Sequence, residues 1–197
     1  MHSTTRVRAT TLAVSALLLA ACSNSTAPDS RPSLVTDPAN DFIPSFDGAH
    51  NADLDARSME VSYTGGNTYV FNATVGANVG LTAGGVYVWG VNRGSGQARF
   101  GAIATGVVFD FVVIVKPGAT SSVRDFNSGV VTDLPASSVT ITGSTIEVRV
   151  PASLLPPQGF APSQFTSNFW PRTGLTSNTQ IADFAPDNSN APVRVVP

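Results

Sequence analysis

The acidic side chains fall into two groups. Asp37, Asp41, Asp47, Asp53 and Asp55 crowd one short stretch, with Asn40 and Asn51 among them, and the run DFAPDNSN adds Asp183, Asp187, Asn188 and Asn190 near the other end. Carboxylate and amide oxygens carried on loops are the ligands calcium takes. If the fold brings its two ends together, both groups share one edge and supply ligands from two sides. The same residue types also serve as ordinary turn and cap residues, and their spacing does not match an EF-hand loop. Calcium is the one metal the sequence offers, with Asp37, Asp41, Asp53, Asp55 and Asp187 as its candidate ligands.

Two scarcities limit the remaining chemistry. The chain has one cysteine, Cys22, and two histidines, His2 and His50, of which His2 lies in the leader described below. Zinc sites built from Cys and His are excluded, and so is a cysteine nucleophile. A serine triad would have to use His50, and no serine stands in a nucleophile-elbow setting. Counting does not remove a glycosidase carboxylate pair, but no single carboxyl is marked as the desolvated acid such an enzyme needs. The expectation is a protein without catalysis.

Cys22 has a different use. His2, Arg6 and Arg8 form a short polar region without acids, Ala9 to Ala21 (ATTLAVSALLLAA) runs apolar, and Cys22 follows. That run is too short to span a bilayer and has the proportions of a signal-peptide core, residues 1–21. The sequence LAAC, Leu19 to Cys22, resembles the bacterial lipobox, which implies cleavage before Cys22 and lipidation of its thiol. An ordinary cleavage site beside an incidental cysteine is the alternative, yet a lone thiol suits an oxidising compartment poorly. More than one acyl chain makes membrane attachment stable. Ser23 stands where an inner-membrane retention Asp would be, so the expected location is the bacterial cell envelope, at the outer membrane, facing the periplasm or the exterior. Residues 22–36 read as the lipidated cysteine and a Ser/Thr/Pro-rich tether, and residues 37–197 as one domain.

Cleavage would leave nine basic against thirteen acidic side chains. A nucleic-acid partner, which needs a basic surface, is not expected. Only 12% of residues are charged while 42% are hydrophobic, enough apolar material for a core in an all-β chain. Alternation in SMEVSY and TYVFNATV around the TGGN turn marks a hairpin over residues 58–75. GVYVWGV (85–91) and VVFDFVVIV (107–115) read as buried strands, SVTITGSTIEVRV (138–150) as a second hairpin, and QFTSNFW (164–170) and APVRVV (191–196) as later strands. PASLL, at 151–155, reads as a single helical turn started by Pro151 and stopped by the prolines after it. Short strands at this spacing indicate an antiparallel β-sandwich, immunoglobulin-like or jelly-roll-like.

The order DPANDF, DLDARSMEVSYTGGNTYVFNATV, VPASLL, FTSNFWPR and DFAPDN resembles the β-sandwich superfamily of DOMON domains and family nine carbohydrate-binding modules, over residues 37 to 196. The resemblance implies a sandwich that binds sugars or, in some relatives, haem, with structural calcium near the N-terminal acidic segment; by position Asp37, Asp41, Asp53 and Asp55 would hold that calcium. Haem would need axial Met and His ligands, and Met59 reads as a core residue of the first strand, so neither haem nor zinc is expected. Sugar binding in family nine uses exposed aromatic rings. Trp89 and Trp170 are the only tryptophans, with Arg172, Arg93 and Asn168 as candidate polar neighbours, and either ring has the alternative of being core. The expectation is a lipid-anchored module that binds carbohydrate, alongside a structural or adhesive envelope lipoprotein that contacts other proteins. A fully buried pair of tryptophans, with an apolar patch on one sheet face, would favour the second.

Overall fold

The computed structural model describes residues 32–196, together with Met1. The predicted signal peptide after Met1, Cys22 and most of the predicted tether lie outside the described residues. Fourteen strands, numbered in chain order, are present among the described residues. One sheet contains β1 (Val35–Thr36), β2 (Ala56–Thr64), β3 (Thr68–Val75), β11 (Thr145–Pro151) and β10 (Val139–Thr142) in that order, and β14 (Arg194–Val196) pairs with β2. The second sheet runs β13 (Ala191–Pro192), β12 (Thr166–Arg172), β4 (Val86–Asn92), β7 (Phe111–Val115), β8 (Ser122–Asp125) and β9 (Val131–Asp133). A small ribbon joins β5 (Gln97–Ala98) to β6 (Val108–Phe109). Pairing is antiparallel except between β14 and β2. No helix among the described residues is long and apolar enough to cross a membrane.

Side-chain alternation explains the two-layer packing. In β2 and β3, Met59, Val61, Phe71 and Ala73 point inward, while Ser58, Glu60, Asn72 and Thr74 form the opposite face. Val148 and Ile146 of β11 continue the inner face beside Phe71 and Ala73. Trp89, Phe111, Val113 and Phe169 of the second sheet meet them from across the sandwich. The β2–β3 turn places Asn67 at φ 60°, a left-handed position that Asn tolerates better than most residues.

The second sheet also buries its outer face. Val86, Val88, Val112 and Trp170 lie under a roof of Phe100, Ala104, Val107 and Phe109 from one long connection and Ile181 and Phe184 from another. Among the described residues this second core has no counterpart on the first sheet, whose outer face is dominated by Ser, Thr, Asn, Glu and Arg.

Three expectations need adjustment. The apolar run 107–115 is two strands, because Asp110 between them turns its carboxylate inward to accept from the Arg93 side chain and from both the backbone N–H and the hydroxyl of Ser95. Strand pairing begins at Val35, opposite Met59, two residues before the predicted start of the domain. β8 and β9 were not foreseen. The 3-10 turn Ala152–Leu154 stands where PASLL placed it.

Candidate cation site

The two acidic groups do meet. Asp37, Asp41, Asp183 and Asp187 each present a carboxylate oxygen, all within 4.8 Å of one another. Asp37 follows β1, and its backbone N–H donates to the Arg57 carbonyl at 2.9 Å. Asp41 sits on the next turn, which is tied down when the Asn40 N–H donates to Asp55 (3.1 Å to Oδ1). Asp183 is fully buried; its Oδ2 accepts from the Ala56 N–H (2.9 Å), at the bulge where the β2 register shifts. Asp187 lies on the exposed turn beyond Phe184.

Four carboxylates so close repel one another. Burial, then Asp183, Asp41, Asp187 and Asp55, pushes the Asp37 carboxyl up to about 8. Burial also raises Asp183 to about 7, against the hydrogen bonds from the Phe184 and Ala56 N–H groups. Asp187 is raised by burial and by Asp41. Asp37 Oδ2 and Asp41 Oδ1 are shut off from solvent and accept no hydrogen bond from the described residues.

The spacing suits a large hard cation. Oxygens bound to calcium at about 2.3–2.6 Å lie up to roughly 5 Å apart across the ion, whereas magnesium at about 2.0–2.1 Å draws them within roughly 4.2 Å. Four carboxylate oxygens within 4.8 Å of one another are close enough to share one such cation. An all-oxygen donor set also disfavours zinc.

The predicted ligand set changes in two places. Asp53 does not join the cluster: its carboxylate accepts from the Thr82 N–H (2.7 Å), the Thr82 hydroxyl (2.6 Å) and the Tyr87 hydroxyl (3.2 Å), so it fastens the loop before β4. Asp55 holds the Asn40 turn and pairs with Arg57 at 3.3 Å, supporting the site from beside it. Asp183 takes the place of Asp53. It belonged to the same DFAPDN run as Asp187, four positions before it, and that spacing was the available signal.

Trp89 and Trp170 do not offer a stacking face. Trp89 is 0% exposed, wedged beside Phe169 with ring centroids 4.6 Å apart. Trp170 is 2% exposed and packs on Phe100 and Phe109 beneath the roof of the second core. Arg172 is equally committed, donating from Nε to the Gly174 carbonyl and from Nη2 to the Ser177 carbonyl at 2.7 Å. Arg93 is fully buried between Asp110 (2.7 Å) and Asp125 (3.0 Å). Asn168, also buried, donates to the carbonyls of Pro186 and Ser189 and so secures the loop that carries Asp187. Met59 lies in the core, and His50 stacks on Phe42 at 4.4 Å.

Cleft and carboxylates do not coincide in the groove beside the Lys116–Ser121 turn. Its volume is about 490 Å³, it runs between the Lys116–Ser121 turn and Val139 and Ile141 at the β10 edge, and no acidic residue lines it. Comparison of the chain with protein-family models, with curated proteins and with solved structures finds no match to any of them.

Proposed function

We propose that this chain is a non-catalytic, lipid-anchored module of a bacterial cell envelope, whose β-sandwich takes a calcium ion at Asp37, Asp41, Asp183 and Asp187. The observation that carries the reading is the convergence of four carboxylates from the two ends of the domain, two of whose oxygens are buried and accept no hydrogen bond from the described residues. The ion would join the segment leading from the tether to the loop after β12 and neutralise the repulsion between them. LAAC and the apolar run before it support the anchor through Cys22, and the outer membrane is its proposed destination. The resemblance to DOMON and family nine modules fits a sandwich with calcium at this end, but the burial of both tryptophans moves the weight from stacking on sugar toward a structural or adhesive role in the envelope.

Thermal melting of the purified protein tests the cation. Calcium at about 100 times its Kd stabilises by about 2.7 kcal/mol, which for a domain of this size raises the midpoint by roughly 5–11 °C over the chelated protein. Asp187→Asn removes most of that rise. Equal midpoints in calcium and in chelator would overturn the reading.

A further inference from the structure

We propose that the surface around Phe126 binds an acidic polysaccharide through the paired guanidinium groups of Arg99 and Arg124. The Arg99 guanidinium lies 4.5 Å from the centroid of the Phe126 ring and that of Arg124 lies 4.8 Å from it. Arg99 also reaches over Phe109 at 5.8 Å, and its Nε donates to the Phe109 carbonyl at 3.4 Å. Both arginines are exposed, while Phe126 is half-buried and packs against the second core. Two cations are thus gathered on one anchored ring.

Their charge is left open. Elsewhere among the described residues Arg57, Arg93, Arg149 and Arg194 each pair with a carboxylate, and Arg172 donates to two carbonyls. Arg99 and Arg124 have no carboxylate within ion-pair distance among those residues. The acids nearest in sequence and register do not serve them. Asp125 turns the other way to Arg93, and Asp133, paired with Ser122 while Arg124 pairs with Val131, lies one step diagonally away without forming an ion pair. In a chain of net negative charge, an arginine pair without acids is the exception.

Stacking on an aromatic face restrains a guanidinium yet leaves its in-plane N–H groups able to take an oxyanion. Uronate carboxylates and sulfate esters both fit that fork, and two cations gathered on one ring favour a polymer with repeated charges over a single ion. Asn127 and Ser128, which directly follow Phe126, and Gln97, whose strand pairs with Phe109, are exposed and offer hydrogen-bonding groups for sugar hydroxyls. Two arginines are too few for a nucleic acid, which is held by many phosphate contacts.

The test is calorimetric titration of the full-length protein with oligogalacturonate and with dextran sulfate, using neutral dextran as control. The expected result is binding of one or both charged polymers that weakens as salt rises, no binding of neutral dextran, and a loss of about tenfold or more in Arg99→Gln/Arg124→Gln, two charge-assisted contacts being removed. Melting curves check that the double variant is folded, which the exposure of both side chains favours. Binding should persist in chelator, so failure of the calcium reading leaves this one standing. Absence of binding to both charged polymers, equal binding of neutral dextran, unchanged binding by the double variant, or stronger binding to duplex DNA or anionic phosphatidylglycerol vesicles would each overturn it.

Discussion

Replacing Arg93 by Ala strikes the ion network that sets the geometry of the second sheet. The Arg93 side chain is 0% exposed and reaches Asp110 at 2.7 Å and Asp125 at 3.0 Å, with Nη1 donating to the Pro156 carbonyl at 3.3 Å and the guanidinium 4.8 Å from the centre of the Phe111 ring. Truncation leaves Asp110 buried with no neutralising charge, although the Arg93 backbone N–H, the Ser95 N–H and the Ser95 hydroxyl still donate to it. Asp125, 15% exposed, is better placed to recover water. Breaking one side of a buried pair costs about 3–5 kcal/mol. The hydrogen bonds left on Asp110 argue for the lower half of that range. At about 2–4 °C per kcal/mol for a domain of this size, the midpoint of thermal unfolding by circular dichroism should fall by roughly 6–16 °C. Arg93→Ala with Asp110→Asn should recover part of the loss, because the stranded charge is gone. A fall of less than about 2 °C, or a double variant no better than the single one, would refute the claim that this network is a main support of the fold.

Three further outcomes follow from the geometry. In chelator, folded Asp37 and Asp183 hold protons that the unfolded chain has released, so stability should fall as pH rises from about 4 to about 8; saturating calcium should abolish the fall, and a chelated midpoint that is flat or rising over that interval would contradict the site's electrostatics. Gly90→Ala places a methyl group where Trp170 Cη2 lies 2.5 Å away and Phe109 Cβ 3.1 Å away, and should cost about 1–3 kcal/mol in urea unfolding. A neutral result there would mean that the second core is loosely packed. Cys22→Ser should move the protein from the membrane fraction to the soluble fraction, and retention in the membrane would remove the lipid anchor from the account.

The strands with clean alternation were legible because one face of each meets the core. Met59, Val61, Phe71 and Ala73 announce their sheet, and Gly143 at φ 59° marks the second hairpin's turn. Asp110 was not legible as a break, since its partners Arg93 and Ser95 sit more than a dozen residues earlier and only tertiary folding brings them to it. Val35 and Thr36 looked like tether because their composition matches it; the Met59 and Ser58 backbones opposite them are what make them a strand. The meeting of the two acidic groups was readable as a consequence of joined ends. Which aspartates face inward was not, because Asp53 and Asp183 differ only in their neighbours: Thr82 and Tyr87 claim the first, while the Ala56 and Phe184 N–H groups aim the second at the cluster. The burial of Trp170 depends on two long connections folding over the sheet, and local periodicity carries no trace of such a roof.

Isothermal titration of the chelator-treated protein with calcium at pH 7.5 tests the central claim most directly. The account predicts one ion bound per chain, weaker binding of magnesium, and a loss of about tenfold or more in Asp187→Asn, where one of four charged ligands is gone. No binding at millimolar calcium, or binding that Asp187→Asn and Asp41→Asn leave unchanged, would contradict it.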